Sequence, residues 1–267
     1  MIVTHLDAVL PEIISEQIAY RELLRQMTRR DLLLRYKQTV MGFGWAIFMP
    51  LINTLLFSAV FSRIAPIDVG VPYPVYAFCG LLVWNFFASA TRFSVSSLTG
   101  NSGLVSKVYF PREIFPFSAV IVSFVDFMIA STVLVAFMAY YRVGVGAPLV
   151  MLPVVVITHV AFTAAVALLL AMGNLFYRDV KYLFEILFTV WMFASSVLYP
   201  VTRVGGRLAT VLALNPMTHI IDAYRDVLFQ RAWPSAAFGV TSVVAVTLFV
   251  LAWSIFHRAE FQFAENI

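Results

Sequence analysis

IFPFSAVIVSFVDFMIASTVLVAFMAYY, residues 114–141, carries a single charged side chain, Asp126. A helix rising about 1.5 Å per residue needs about 20 apolar residues to cross a hydrocarbon core about 30 Å thick, and this run exceeds that length. The same ruler, moved outward, finds five more spans near 42–62, 75–97, 148–173, 182–200 and 236–256. The run at 75–97 is the weakest, because Asn85, Thr91 and Arg92 interrupt it, although Gly80 and Trp84 suit a membrane helix. With 61% hydrophobic and 12% charged residues and a mean hydropathy of +0.90, the chain cannot be covered by a water-facing surface. The expectation is an all-α membrane protein of six transmembrane helices.

The net charge of +4 points to topology, since Lys and Arg flank the apolar runs and no basic-aromatic module for nucleic acid appears. Arg21, Arg25, Arg29, Arg30, Arg35 and Lys37 precede the first span, Arg92, Lys107 and Arg112 follow the second, and Arg178 and Lys181 follow the fourth. These ends are assigned to the cytoplasm, the short connections opposite them hold only Arg63 and Arg142, and six crossings return His257 and Arg258 to the cytoplasmic side. The expected location is the inner (cytoplasmic) membrane with both termini inside. The first apolar run begins near Met41 behind a long charged segment, which reads as a retained N-terminus and not as a cleaved signal. Cys79 stands alone, so neither an intrachain disulfide nor a multi-cysteine metal site can form.

The chain divides into an N-terminal segment, 1–40, and one membrane domain, 41–267. Residues 12–37 pattern as a partly amphipathic helix, with Ile13, Tyr20, Leu24 and Met27 on a broad face, expected to lie along the inner leaflet. A helix packed on its own protein is the alternative. Between the fifth and sixth spans, about 201–235, TVLALNPMTHIIDAYRDVLFQ (210–230) is too polar to cross: Asp222, Arg225 and Asp226 would each cost about 2.5–3.5 kcal/mol in hydrocarbon. Asn215-Pro216 supplies a break, and a helix from near Thr218 sets Asp222 and Asp226 one turn apart. An external re-entrant hairpin at the mouth of a path is expected, with a folded external cap as the alternative.

No phosphate loop of the form GxxxxGK[ST] occurs, nor H-E-x-x-H, paired C-x-x-C or G-x-S-x-G. His5, His159, His219 and His257 are scattered without metal-ligand spacing, so no metal site or cofactor of this chain is expected. Asp126 and His159 lie near the middle of the third and fourth spans, about 4–5 Å apart in depth, which predicts a hydrogen bond between them. Such a pair serves either as a structural fastening or as a proton or substrate relay. Glu185 reads as an interfacial charge.

Three stretches carry a resemblance: RYKQTVMGFGWAIFMPL (35–51), KVYFPREIFP (107–116) and LNPMTHIIDAYRDVL (214–228). Together they resemble the permease subunits of type-2 ABC exporters of lipid-linked polysaccharide such as O-antigen, capsule or teichoic acid. The first two are specific for the polysaccharide branch, while drug and lipid exporters share segments like the third. The resemblance implies two copies of this chain, two copies of a separate ATPase that binds ATP and Mg, and a channel between the permeases. It also makes the connection after the second span a coupling helix received by the ATPase. Val105, Val108 and Tyr109 would offer that helix's apolar face, Lys107, Arg112 and Glu113 the charges around it, and Pro111 and Pro116 a stiff joint, with Phe110 also assigned to the coupling contact. Arg178 and Asp179 in NLFYRDVKY (174–182) would add a second contact, or else form a local ion pair. For the substrate path the choices are Tyr36, Trp45 and Tyr199, whose rings suit sugar faces, with Asn215, His219, Asp222 and Arg225 in the hairpin. Arg29, Arg30, Arg35 and Lys37 would meet an entering lipid pyrophosphate head, although anchoring to anionic membrane lipid is the preferred use. The rivals are an exporter of drug or lipid, a proton-coupled carrier using Asp126 and His159, and a membrane transferase.

Overall fold

The computed structural model describes residues 11, 14–37, 41–42, 44–61, 69–105, 110–201, 205–260 and 263. Ile13, Arg63, Lys107, Val108 and Tyr109, the last three at the centre of the expected coupling helix, lie outside the described residues. The elements run α1 (Arg21–Tyr36), α2 (Gly44–Ala59), α3 (Tyr73–Val95), the short α4 (Ser102–Val105), α5 (Ile114–Tyr140), α6 (Leu152–Phe176), α7 (Val180–Phe193), α8 (Gly206–Leu212), α9 (Pro216–Arg225) and α10 (Ala236–Ala259). No strand occurs among the described residues.

Among the described residues, four helices are long and apolar enough to cross a bilayer: Tyr73–Val95, Ile114–Tyr140, Ala147–Phe176 and Ala236–Ala259. α2 and α7 are apolar but shorter, 16 and 14 residues. α3, the weakest span by hydropathy, is the most enclosed, with 83% of its central window buried against 33% for α5. Its polar residues follow from that central place, since Thr91 and Ser94 are fully buried and bonded to carbonyls of Phe87 and Pro116 at 2.5 and 3.3 Å.

Aromatic side chains fill the centre. Trp84 and Phe87 of α3, Phe162 of α6, and Phe188 and Trp191 of α7 meet edge to face, tilted or stacked at 5.1–6.4 Å between ring centres. A second core at the other end joins Leu98, Val105, Phe110, Ile114, Phe115, Phe256 and Phe263.

α1 packs along α5. Asp31 accepts from the Ser118 hydroxyl at 2.7 Å, and one turn later Arg35 and Tyr36 both reach Asp126. Tyr20, Leu23, Leu24 and Met27 lie against the second core, while Leu33 and Leu34 face outward, 51% and 74% exposed. One side of α1 is thus bound to its own protein and the other presents apolar surface.

Candidate functional site

The segment 215–231 is built around two polar residues. Asn215 caps α9: its Oδ1 accepts from the Met217 amide at 3.0 Å and from the Trp191 indole at 2.9 Å, and its Nδ2 donates to the Ala194 carbonyl and the Ser195 hydroxyl at 2.8 Å each. An asparagine at this position satisfies otherwise orphaned amides, and Pro216 at the first helical position is preset for the turn. Arg225, at the far end of α9, is fully buried. Its guanidinium donates to the carbonyls of Ser196, Val197 (2.8 Å) and Tyr76 (3.2 Å), to the Tyr76 hydroxyl (2.9 Å) and to Asp222 (3.3 Å), and it stacks 3.5 Å over the Tyr76 ring. Gly80 makes room for this knot, because a Cβ there would stand 2.2 Å from the Val197 oxygen and 2.5 Å from Arg225. Past α9, one π turn (Asp226–Gln230) ends at Arg231, whose φ of 54° reverses the chain. His219 is tied to the Ala213 carbonyl at 2.6 Å, and Tyr199 to the Phe193 carbonyl at the end of α7. Asp222 accepts from the Ser196 hydroxyl at 2.7 Å.

The hydrogen bond expected between Asp126 and His159 does not form. Asp126 is taken by Arg35 and Tyr36 from α1, and His159, fully buried, meets the Tyr224 hydroxyl at 3.3 Å and the Phe86 ring edge-on at 4.8 Å. Depth along antiparallel helices places two groups at one level, but rotation about each axis decides which face they share, and here it separates them.

Arg112 and Glu113, expected as charges around an ATPase contact, turn inward instead; they are 7% and 0% exposed. The Arg112 amide donates to the Glu260 carboxylate at 3.2 Å and its guanidinium to the Glu260 carbonyl at 2.6 Å. Glu113 accepts from the Trp253 indole at 3.2 Å and lies 3.4 Å from His257, which is 3.9 Å from Glu16. Burial, then the adjacent Glu113 charge, pushes Glu260 up from 4.5 to about 7. Burial would raise Glu113 as well, but the His257 imidazole and the Trp253 indole hold it below its ordinary value. Val105 and Phe110 are likewise buried in the second core, and Pro111 beside them is buried too. The physical reason is the pairing with the end of α10, a partner more than a hundred residues away that local charge counting cannot see.

The outward surface at this end is the loop before α7. Tyr177 is 73% and Tyr182 66% exposed, and Arg178 and Asp179 between them are exposed and form no ion pair among the described residues. With Ser96, Thr99, Gly100 and Ser102, the segment Asn174–Tyr182 walls a cleft of about 490 Å³. Asn174 anchors it by donating to the Val95 carbonyl at 2.8 Å.

Of the basic residues expected to meet a lipid head, Arg30 is paired with Asp31 at 2.8 Å and Arg35 with Asp126, whereas Arg29 and, just past the end of α1, Lys37 are exposed. A second cleft, about 320 Å³, opens between α2, α3 and α5 and is lined by Trp45, Asn53, Asn85, Ser89, Arg92 and Asp126, among others. Trp45 was expected on a path, whereas Asn85 and Arg92 read from the sequence as interruptions of a span. Their spacing with Ser89 (i, i+4, i+7), one stripe of a helix, is the signal that marks them.

The chain matches the family model "ABC-2 type transporter" over residues 22–229. An O-antigen export system permease protein, RfbA, of Myxococcus xanthus is 30% identical over 259 residues, covering 96% of this chain and 99% of that one. A Klebsiella pneumoniae protein of the same name is 26% identical over 91% of this chain and 94% of its own. The polysialic acid transport protein KpsM of Escherichia coli is 21% identical over 74% of this chain and 77% of its own. A match across most of the chain, joined to an all-helical bundle with four bilayer-length helices, places this protein in the ABC-2 type transporter family.

Proposed function

We propose that this chain is the permease subunit of an ATP-driven exporter of surface polysaccharide of the O-antigen or capsule kind. What carries the reading is the near end-to-end similarity to proteins named as O-antigen export permeases. The chain has no phosphate loop, so ATP and Mg are assigned to a separate ATPase, two copies working with two of this chain. The lysine and arginine pattern supports an inner-membrane setting with both termini cytoplasmic. Counting α2 and α7 as crossings gives six, with 201–235 as an external re-entrant hairpin; Asn215 and Arg225, which reach back from that segment to cap the carbonyls of Ala194 and Val197, support that count.

The cargo is a glycan on an anionic lipid, moved outward. The ATPase is received at the cleft walled by Thr99, Ser102, Arg178 and Tyr182, while Arg112 and Glu113 hold the ends of α5 and α10 together behind it. Motion at the cleft then reaches both helices. The proton-carrier alternative loses its premise, because Asp126 and His159 have separate partners.

The test is reconstitution. The permease with its ATPase should export lipid-linked glycan from proteoliposomes only with hydrolysable ATP, and amphipathic drugs should not stimulate hydrolysis. Transport by the permease alone, or driven by a proton gradient, would overturn the proposal.

A further inference from the structure

Among the described residues, Arg92 lines a cleft without a partner of its own. Arg30, Arg35, Arg112 and Arg225 each have a carboxylate or carbonyl partner, but Arg92, exposed in the last turn of α3, takes no hydrogen bond or ion pair among the described residues. Neither do the carboxamides of Asn85 and Asn53. All three line the cleft of about 320 Å³ between α2, α3 and α5. The carboxylate on the facing wall, Asp126, is already neutralised by Arg35 and held by Tyr36, so the cleft keeps an unmatched positive charge. Glu185 and Lys181 share a narrow crevice with the other side of Arg92, and no ion pair forms within 4.0 Å there.

The chemistry is graded along the cleft. Arg92 lies one turn from the end of α3, at the depth of lipid headgroups, and Asn85 lies about 10 Å deeper by helical rise. Trp45, Met49, Phe86 and Phe127 supply apolar walls. A guanidinium at headgroup level, amides beneath it and a greasy flank match a phosphate that carries a hydrocarbon tail. At about 320 Å³ the space is at the lower end of ligand pockets, about 300–1,000 Å³, which suits a headgroup and excludes a sugar chain.

We propose that this cleft binds the headgroup of one anionic membrane lipid per protomer, with Arg92 as the counter-charge of its phosphate and Asn85 and Asn53 as hydrogen-bond donors to the glycerol ester oxygens beneath. The site goes beyond the export reading, since it concerns a lipid and not the glycan, and it is separate from the basic residues of α1.

The experiment takes the complete permease–ATPase complex from nanodiscs of phosphatidylglycerol and phosphatidylcholine and counts retained lipids by native mass spectrometry. Wild type should hold one phosphatidylglycerol per protomer. Arg92→Gln should lower retention about tenfold, the size of one lost charge-assisted contact, and Arg92→Lys should lower it less. Glu185→Gln should leave retention unchanged or raise it, and millimolar inorganic phosphate should not displace the lipid. Equal retention by wild type and Arg92→Gln, full displacement by inorganic phosphate, or a loss in Glu185→Gln matching that in Arg92→Gln would each overturn the site; the last would make Arg92 and Glu185 a structural pair. Export is read separately: its failure with lipid still bound bears on the export reading alone.

Discussion

Replacing Arg225 should unseat the segment 215–231 from the bundle. The guanidinium is fully buried and satisfies three backbone carbonyls, those of Tyr76, Ser196 and Val197, besides the Tyr76 hydroxyl. Arg225→Gln keeps a polar tip but cannot reach acceptors on α3 and beyond α7 together. Each buried acceptor left bare costs about 1–3 kcal/mol, and breaking a buried charged network by removing one partner costs about 3–5 kcal/mol in all, because such losses do not add. At about 2–4 °C per kcal/mol for a chain of this size, the melting temperature should fall by about 6 °C or more. Arg225→Lys keeps the charge but loses the planar fork and should fall between the two. Gly80→Ala should destabilise through the same contact, since its methyl group would meet the Val197 oxygen at 2.2 Å. The assay is thermal unfolding of purified protein in one detergent, followed by export. If Arg225→Gln and Gly80→Ala both melt within about 2 °C of wild type, the guanidinium is not what holds the segment.

Asp126→Asn removes the partner of Arg35 and weakens that of Tyr36, so α1 should separate from α5; faster proteolysis within 21–36 without loss of the membrane bundle is the expected readout. Reversing Arg112 to Glu buries two carboxylates beside Glu260 and should abolish folded protein, seen as loss of the monodisperse peak, where an exposed rim charge would only have uncoupled hydrolysis from export. Because Glu260 is raised from 4.5 to about 7, the folded state binds its proton more tightly than the unfolded one. Its share of stability is therefore full below about pH 4.5 and lost as pH rises to about 7. Glu260→Gln should flatten the melting temperature over that window, and an unchanged slope would refute the assignment. Arg178→Glu with Asp179→Lys, on the exposed loop, should leave melting unchanged and lower ATP-coupled export several-fold if the cleft receives the ATPase.

The long uniform runs were legible because length and hydropathy alone decide them: 114–141, 148–173 and 236–256 agree within a few residues with Ile114–Tyr140, Leu152–Phe176 and Ala236–Ala259. The expected fifth span, 182–200, overran; α7 ends at Phe193 because Asn215 binds the carbonyl of Ala194 and the hydroxyl of Ser195, a contact made from twenty residues away. The break at Asn215-Pro216 was readable, since its chemistry is local. Which charges face inward was not. Arg35 finds Asp126 across 91 positions and Arg112 finds Glu260 across 148, and no count of charges beside a span reveals such distant partners. Polar residues in α3 lowered its apparent fitness as a span, yet it is the helix most surrounded by protein, where they find carbonyls or line a cleft.

The brevity of α7 has a consequence for the barrier itself. Its 14 residues reach about 21 Å, some two-thirds of a hydrocarbon slab about 30 Å thick, so under the six-crossing proposal the remainder falls to the irregular backbone at 194–197, held by Arg225 and Asn215. Insulation on that flank would then depend on a few carbonyls staying capped instead of on a full column of oily side chains. A cell making a variant with the caps removed should first betray itself electrically, through passive leakage of small ions, before any failure to deliver cargo becomes visible.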